Sequence, residues 1–353
     1  MPAKESMPMH KGEKSVCPLL PTTKAMCDVS VVIVSWNTRK MLEDCIRSID
    51  AHTRNIRYET IVVDNASSDD SCQMIEREFP AVRLFCNNKN EGFAYGCNEG
   101  MRASRGRYLL LLNSDTLFTE NTLGKMVCFL DAKPETGMGG CMLLNDDGTI
   151  QPTCADFPTA FAFISGGANP VRLLRRLVFN EIYFSHPFLS HPKHKATRDV
   201  DWLAGAFMMV RREVAETVGM MDETIFMYSE EVDWCYRIRK AGWKISYTPE
   251  TRIIHLGRGS TTISNDDRSV AVLESYLYFF KKHFGTVQAI VYTMTIMLGT
   301  PMKMVFWSCS YLFFVKKRPF LKERLDWHLA ALRWCRGALR RLTTQQHELI
   351  YPS

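Results

Sequence analysis

None of the twelve cysteines is spaced C-x-x-C; they fall singly, from Cys17 to Cys335, and no secretory signal opens the chain. Reduced cytosolic thiols are therefore expected. No G-x-G-x-x-G follows the first strand-like run, where the turn reads SWNTRK without a glycine, which argues against a dinucleotide oxidoreductase. Walker, H-E-x-x-H and G-x-S-x-G motifs are missing as well. No basic stripe with interleaved aromatics occurs before residue 280, so nucleic acid is not an expected partner.

What basic character there is belongs to the tail. Residues 281–353 hold twelve Lys and Arg against three Asp and Glu, a surplus of nine, so a net charge of +6 leaves residues 1–280 with a deficit of three. Such a tail suits an acidic partner such as anionic lipid. At 353 residues and 46% hydrophobic, the chain is long enough for one large core or two. Residues 1–27 lack periodicity and read as a flexible leader.

From Asp28 strand and helix signals alternate. VSVVIVSW (29–36) is an apolar β-branched run, and Met41, Leu42, Cys45, Ile46 and Ile49 then recur at helical spacing. ETIVVDN (59–65), SDDSCQMIEREF (68–79), VRLFCN (82–87), GFAYGCNEGMRAS (92–104) and RYLLLLNSD (107–115) continue the pattern. The expected fold class is α/β, a Rossmann-like, mostly parallel sheet covered by helices on both faces, since its strands are apolar throughout rather than alternating. Ligands in such sheets collect at the carboxyl ends of strands, where Trp36–Asn37, Asp64–Asn65, Asn87–Asn90 and Asn113–Asp115 fall. Each alone reads equally as a turn former; four together suggest a site.

Residues 155–197, rich in Pro, His and aromatics, read as a variable insertion facing a substrate. A strand and helix (201–219), a polar helix SEEVDWCYRIRKAGW (229–243), the separate strand-like runs KISYTP and TRIIHLGRGS, and a helix over 266–284 follow.

A nucleotide-sugar site explains the polar strand ends. It needs an acid or amide for base and ribose, a divalent cation for the diphosphate and, for inversion, a base beside the acceptor hydroxyl. Asp64 suits the first task and Asp115 the second, with His255 as a second metal ligand or a structural histidine. Glu230, Glu231 and Asp233 suit the third, or simply complement a helix dipole.

VVIVSWN, IVVDNASSDDS, the N-x-G-F-A-x-G-x-N block (90–98), LLLLNSDT, GAFMMVRRE, SEEVDWCYRIRKAGW and HLGRGS together resemble the inverting glycosyltransferases of family 2, in the rhamnosyltransferase-like branch that builds bacterial surface polysaccharides. The resemblance covers roughly residues 28–285. It implies a GT-A fold, a nucleotide-diphospho-sugar donor such as dTDP-L-rhamnose, Mg2+ or Mn2+, and single displacement onto a glycan. Residue by residue it implies that Asp64, with Asn37 and Asn65, meets base and ribose, that Asn90, Gly92 and Asn98 shape the donor pocket, and that Asp115 and His255 hold the metal. Glu231 falls where the family places its general base, Glu230 or Asp233 being the fallback, and Trp202 and Gly205 fall at the acceptor and donor-sugar subsites. The same fold with a UDP-hexose donor, or a non-catalytic sugar-nucleotide-binding scaffold, stays open.

In the tail (286–353), the 19 uncharged residues 284–302 are followed by 12 more at 304–315, with GTP (299–301) as the break between them. Lys281–Lys282 and Lys316–Arg318 flank the pair, predicting a hairpin that dips into the cytoplasmic face of a bacterial inner membrane, where a lipid-linked acceptor lies. Leu321, Leu325, Leu329, Leu332 and Leu339 mark an interfacial helix over 320–342. A helical pair packed on the catalytic domain, or in a homodimer, is the competing arrangement.

Overall fold

The computed structural model describes residues 27–158, 194–257, 265–313 and 318–344. All but the last residue of the 1–27 leader, most of the 155–197 insertion and residues 258–260 of HLGRGS lie outside the described residues. The expected alternation is present as β1 (Cys27–Ser35), α1 (Arg39–His52), β2 (Tyr58–Asp64), α2 (Ser71–Glu78), β3 (Arg83–Cys86), α3 (Phe93–Ala103) and β4 (Gly106–Asn113). Of the residues that recur at helical spacing in α1, Leu42, Cys45, Ile46 and Ile49 are buried and Met41 is half-buried.

β5 (Thr116–Phe118), α4 (Thr122–Asp131), β6 (Thr136–Leu144), β7 (Ile150–Gln151), β8 (Cys154–Ala155), β9 (Arg198–Asp199), β10 (Trp202–Leu203), β11 (Phe207–Arg211), α5 (Arg212–Val218), α6 (Glu230–Lys240) and β12 (Lys244–His255) follow. The main sheet runs β3-β2-β1-β4-β11-β6-β12-β5. β3, β2, β1 and β4 are parallel to one another, as are β6 and β12, while β11 enters antiparallel to both β4 and β6. This is the mostly parallel, helix-covered GT-A sheet expected from the sequence.

The leucines of β4 explain its double cover. Leu109 and Leu111 pack into one core cluster, Leu110 and Leu112 into the other, on opposite faces of the sheet. All four are essentially inaccessible, each contributing about 1.5–3 kcal/mol of transfer free energy. With both faces covered, the strand's polar residues can only emerge at its end.

Four expectations need correction. KISYTP and TRIIH form one strand, β12, whose register shifts between Thr248 and Arg252; that irregularity accommodates Pro249. The tail helix α7 (Asn265–Phe313) runs through GTP, and its break falls at Gly285, where φ is 83°. Helix α8 (Arg318–Thr344) buries Ala331, Trp334, Cys335, Ala338 and Leu342, leaving Leu329 exposed. These join the cluster that holds Tyr276, Phe280 and Tyr292 of α7, while Glu274 accepts from Trp334 Nε1 at 2.7 Å and pairs with Arg341. The leucine stripe is split: Leu321 is buried in one cluster with Trp307 of α7, with Leu325 packed against it, while Leu329 is exposed. Finally, Cys72 at the head of α2 and Cys86 at the end of β3 are disulfide-bonded, brought together by the parallel pairing of β2 with β3 rather than by their separation of 14 residues.

Candidate functional site

At the carboxyl ends of the parallel strands lies an open cleft. Trp36, Asn65, Asn90, Asn113, Ser114 and Asp115 line it, and Phe93 and Met227 add apolar wall. The polar strand ends thus converge on one cleft. A hydroxyl chain ties β1 to β4 there: Ser35 Oγ lies 2.9 Å from Thr38 Oγ1, itself 2.9 Å from Ser114 Oγ. Asn37 and Ala66, at φ 52° and 62°, hold the adjoining loops in left-handed conformations.

The expected donor residues divide between wall and frame. Asp64 is buried, and its two oxygens accept from Ser67 N (2.7 Å) and Ser67 Oγ (2.6 Å); burial raises its pKa against those bonds. Asn37 Oδ1 accepts from Ser68 N at 2.8 Å, linking the first two strand-end loops. Asn65 donates to Gly92 O at 3.0 Å and accepts from Asn87 at 3.1 Å. Asn90 Oδ1 accepts from Gly92 N at 3.0 Å. At Gly92, φ is 91° and a Cβ would lie 2.4 Å from Phe226 O, so only glycine lets α3 start against that segment. Asn98, buried in α3, bonds Met221 on both main-chain polar atoms and Glu223, pinning the run that leads into α6.

Asp115 and His255, 140 residues apart in sequence, meet because β5 pairs antiparallel with β12, setting His255 opposite Thr116. Leu256 N donates to Asp115 O at 2.9 Å and closes the corner. His255 Nε2 lies 3.2 Å from Asp115 Oδ1, and its Nδ1 lies 2.6 Å from Gln151 Oε1. Nδ1 thus faces an amide oxygen while Nε2 faces a carboxylate, a pairing of imidazole and carboxylate that suits a divalent cation. Among the described residues no group of three or more His, Cys, Asp and Glu side chains converges on a metal position. Asp115 and His255 fit as two of a cation's ligands.

The head of α6 is built under strain. Tyr228 and Ser229 take φ of 70° and 67°, a consecutive non-glycine pair in the left-handed region, costing about 1–3 kcal/mol each. They deliver Glu230 and Glu231 into a buried setting in which each keeps one oxygen without a hydrogen-bond partner. Burial pushes the Glu231 carboxyl up to about 7, and burial plus the Glu231 charge pushes Glu230 well above the ordinary range. Met227, three residues before Glu230, lines the cleft.

Asp233 is not a spare base. Fully buried, it accepts from Arg237 Nε at 2.8 Å, Lys282 Nζ at 2.7 Å and His283 Nε2 at 2.7 Å. Burial would raise its pKa, but His283, Arg237 and Lys282 outweigh that and hold it far below the carboxylate range. Trp202 is buried and donates to Asp156 O at 3.1 Å; Gly205 lies beside the cleft residue Phe93, 3.7 Å from where a Cβ would stand.

Three comparisons bear on this geometry. The family model described as "Glycosyltransferase like family 2" matches residues 27–270. The chain is 26% identical over 277 residues to an N-acetylglucosaminyl-diphospho-decaprenol L-rhamnosyltransferase of Mycobacterium tuberculosis, spanning 74% of this chain and 87% of that protein. It is 25% identical over 240 residues to rhamnosyltransferase WbbL of Escherichia coli K12, spanning 64% and 83%. Among solved structures, mannosyltransferase PcManGT of Pyrobaculum calidifontis, in complex with GDP-Man and Mn2+, superposes with a TM-score of 0.53 at 13% identity over 96% of this chain and 92% of that one, a likeness of fold.

Proposed function

Because the chain belongs to the glycosyltransferase-like family 2, we propose that it is an inverting rhamnosyltransferase, moving L-rhamnose from dTDP-L-rhamnose to a lipid-linked glycan in cell-surface polysaccharide biosynthesis. The carrying observation is the Asp115–His255 corner, 3.2 Å across, at the edge of the strand-end cleft. The sugar and the acceptor class are supported by the activities named for the mycobacterial and enterobacterial relatives.

In this reading Asp64, steadied by Ser67, and Asn65 bind base and ribose, while Trp36 and Asn90 line the donor. A Mg2+ or Mn2+ ion held by Asp115 and His255 supplies charge neutralisation for the nucleoside diphosphate. Glu231, with its unpartnered oxygen and raised pKa, accepts the proton of the acceptor hydroxyl as that oxygen bonds to the anomeric carbon and the diphosphate departs from the opposite face. Burial and the neighbouring Glu231 charge raise the Glu230 carboxyl beside it well above the ordinary range. Gly205, beside Phe93, leaves room for the sugar, and Trp202 backs it.

The tail brings the site to its acceptor. Val287, Leu298, Met302, Val305 and Leu312 of α7 are 63–75% exposed and share one helical stripe. The stretch Val270–Phe313 is long and apolar enough to cross a membrane by length and composition. With a basic α8 beside it, this stripe lies against anionic lipid on the cytoplasmic face of the inner membrane; a second copy of the chain is the competing occupant.

The test is transfer from a panel of nucleotide sugars with Mn2+. Rhamnosyl transfer that collapses in Asp115→Ala and Glu231→Gln is expected. Full activity in both variants sinks the site, preference for a UDP-hexose sinks the donor, and nucleotide binding without turnover on any acceptor points to a scaffold.

A further inference from the structure

We infer that the β6–β7 hairpin sets the tautomer of His255, and that Gln151 is a positioning residue for the cation site although it touches neither cation nor substrate. The inference rests on the reading that Asp115 and His255 hold a divalent cation. Its basis is a chain of hydrogen bonds in which every donor is dictated by the group before it.

The chain starts at Asp147, whose ionised carboxylate can only accept. Its Oδ1 takes hydrogen bonds from Thr149 Oγ1 at 2.6 Å and Thr149 N at 2.9 Å. The Thr149 hydroxyl has one proton, and it is spent on Asp147, so toward Asn145 it can only accept. Asn145 must therefore turn its Nδ2 to Thr149, and these atoms are 2.8 Å apart. That leaves Asn145 Oδ1 facing Gln151, which donates from Nε2 at 3.0 Å. With its amide so oriented, Gln151 presents Oε1 to His255 Nδ1 at 2.6 Å, a contact that requires Nδ1 to carry the hydrogen.

The consequence falls on the other ring nitrogen. In the neutral ring, a proton on Nδ1 leaves Nε2 as a lone pair, facing Asp115 Oδ1 at 3.2 Å and Asn113 Nδ2, a donor, at 3.4 Å. The opposite tautomer would require both amides to flip, setting Asn145 Oδ1 against a hydroxyl with no proton to give. The hairpin is itself well held: Asn145 N donates to Thr149 O at 2.8 Å, Gly148 N to Asn145 O at 2.9 Å, and Leu143 and Leu144 pair with Gln151 and Ile150. Gln151 Nε2 also reaches His255 O at 3.4 Å, tying the side chain to the strand that carries the imidazole.

The experiment uses full-length protein labelled with 15N-histidine, without metal, in mildly alkaline buffer. The tautomer of His255 is read from two-bond proton–nitrogen couplings, its signals assigned by their loss in His255→Asn. Mn2+ affinity is read in parallel by electron paramagnetic resonance. Wild type is expected as the Nδ1–H tautomer. Gln151→Leu should lose that preference and bind Mn2+ about tenfold more weakly, as outer-shell losses at metal-bound histidines typically do. Gln151→Glu, which still accepts from Nδ1, should keep both tautomer and affinity, and Thr149→Val should weaken binding without touching the corner. An Nε2–H tautomer in wild type, or wild-type Mn2+ binding by Gln151→Leu, overturns the inference. Mn2+ binding that is unchanged in Asp115→Ala and His255→Asn instead overturns the cation reading, while the couplings still decide what the hairpin does to the ring.

Discussion

Asp115 and Asp233 are both buried carboxylates, 7% and 0% exposed, yet their partners differ in kind. Asp115 faces an imidazole whose near nitrogen is left with a lone pair. Asp233 is ringed by Arg237, Lys282 and His283, so its charge is already compensated by the protein. Asp115 sits at the cleft edge, whereas Asp233 is tied into the frame between α6 and α7. Glu230 and Glu231 share the head of α6 with Asp233 yet each keeps an unpartnered oxygen, which is why the base is proposed at Glu231. Whether a buried acid locks the structure or does chemistry is decided by what neutralises it.

The contrast breaks first at Glu231. Replacing Glu231 with Gln should lower kcat by about 10²–10⁴, the usual weight of a general base, with nucleotide binding by calorimetry unchanged. Asp233→Asn should act on stability: removing the acid strands cationic groups in a buried setting, and denaturant unfolding should report a loss of about 3–5 kcal/mol. A catalytic loss in Asp233→Asn at full stability would erase the distinction between the two acids.

A smaller effect comes with pH. Burial raises Glu231 to about 7, so kcat/KM should fall about tenfold per pH unit below that value as the base takes up a proton. Stability moves the other way. The folded protein holds this proton more tightly than the unfolded chain, whose glutamates titrate near 4.5, so the stabilisation is fully present below 4.5 and is lost as pH rises through about 7. The smallest shift is expected at Leu298, 63% exposed: Leu298→Glu should change unfolding free energy by less than about 0.5 kcal/mol while abolishing binding to anionic vesicles.

Much of the sheet half was legible because its signals are local. Continuous apolar runs marked β1, β2 and β4, and their polar ends marked the cleft, including Asp115. His255 was readable as a candidate, but its meeting with Asp115 depends on a β5–β12 pairing across 140 residues that no periodicity encodes. Gln151 left no signal at all, since an amide in a hairpin acquires a role only from the strand beside it. Two of the three donors to Asp233, Lys282 and His283, come from α7, which is why the acid was open as a base in sequence and closed in the fold. In α8 the leucine stripe was a partial guide: Leu321 is buried, Leu329 is exposed, and the packed face also carries Ala331, Trp334, Cys335 and Ala338.

The central claim, that Asp115 and His255 hold the cation of a nucleotide-sugar site, is tested most directly by crystallography of the full chain with Mn2+ and dTDP, using manganese anomalous scattering. The account predicts one anomalous peak in direct contact with Asp115 and His255 Nε2 and with the diphosphate, the base lying near Asp64 and Asn65. Manganese bound elsewhere, or a diphosphate seated away from Asp115, would contradict it.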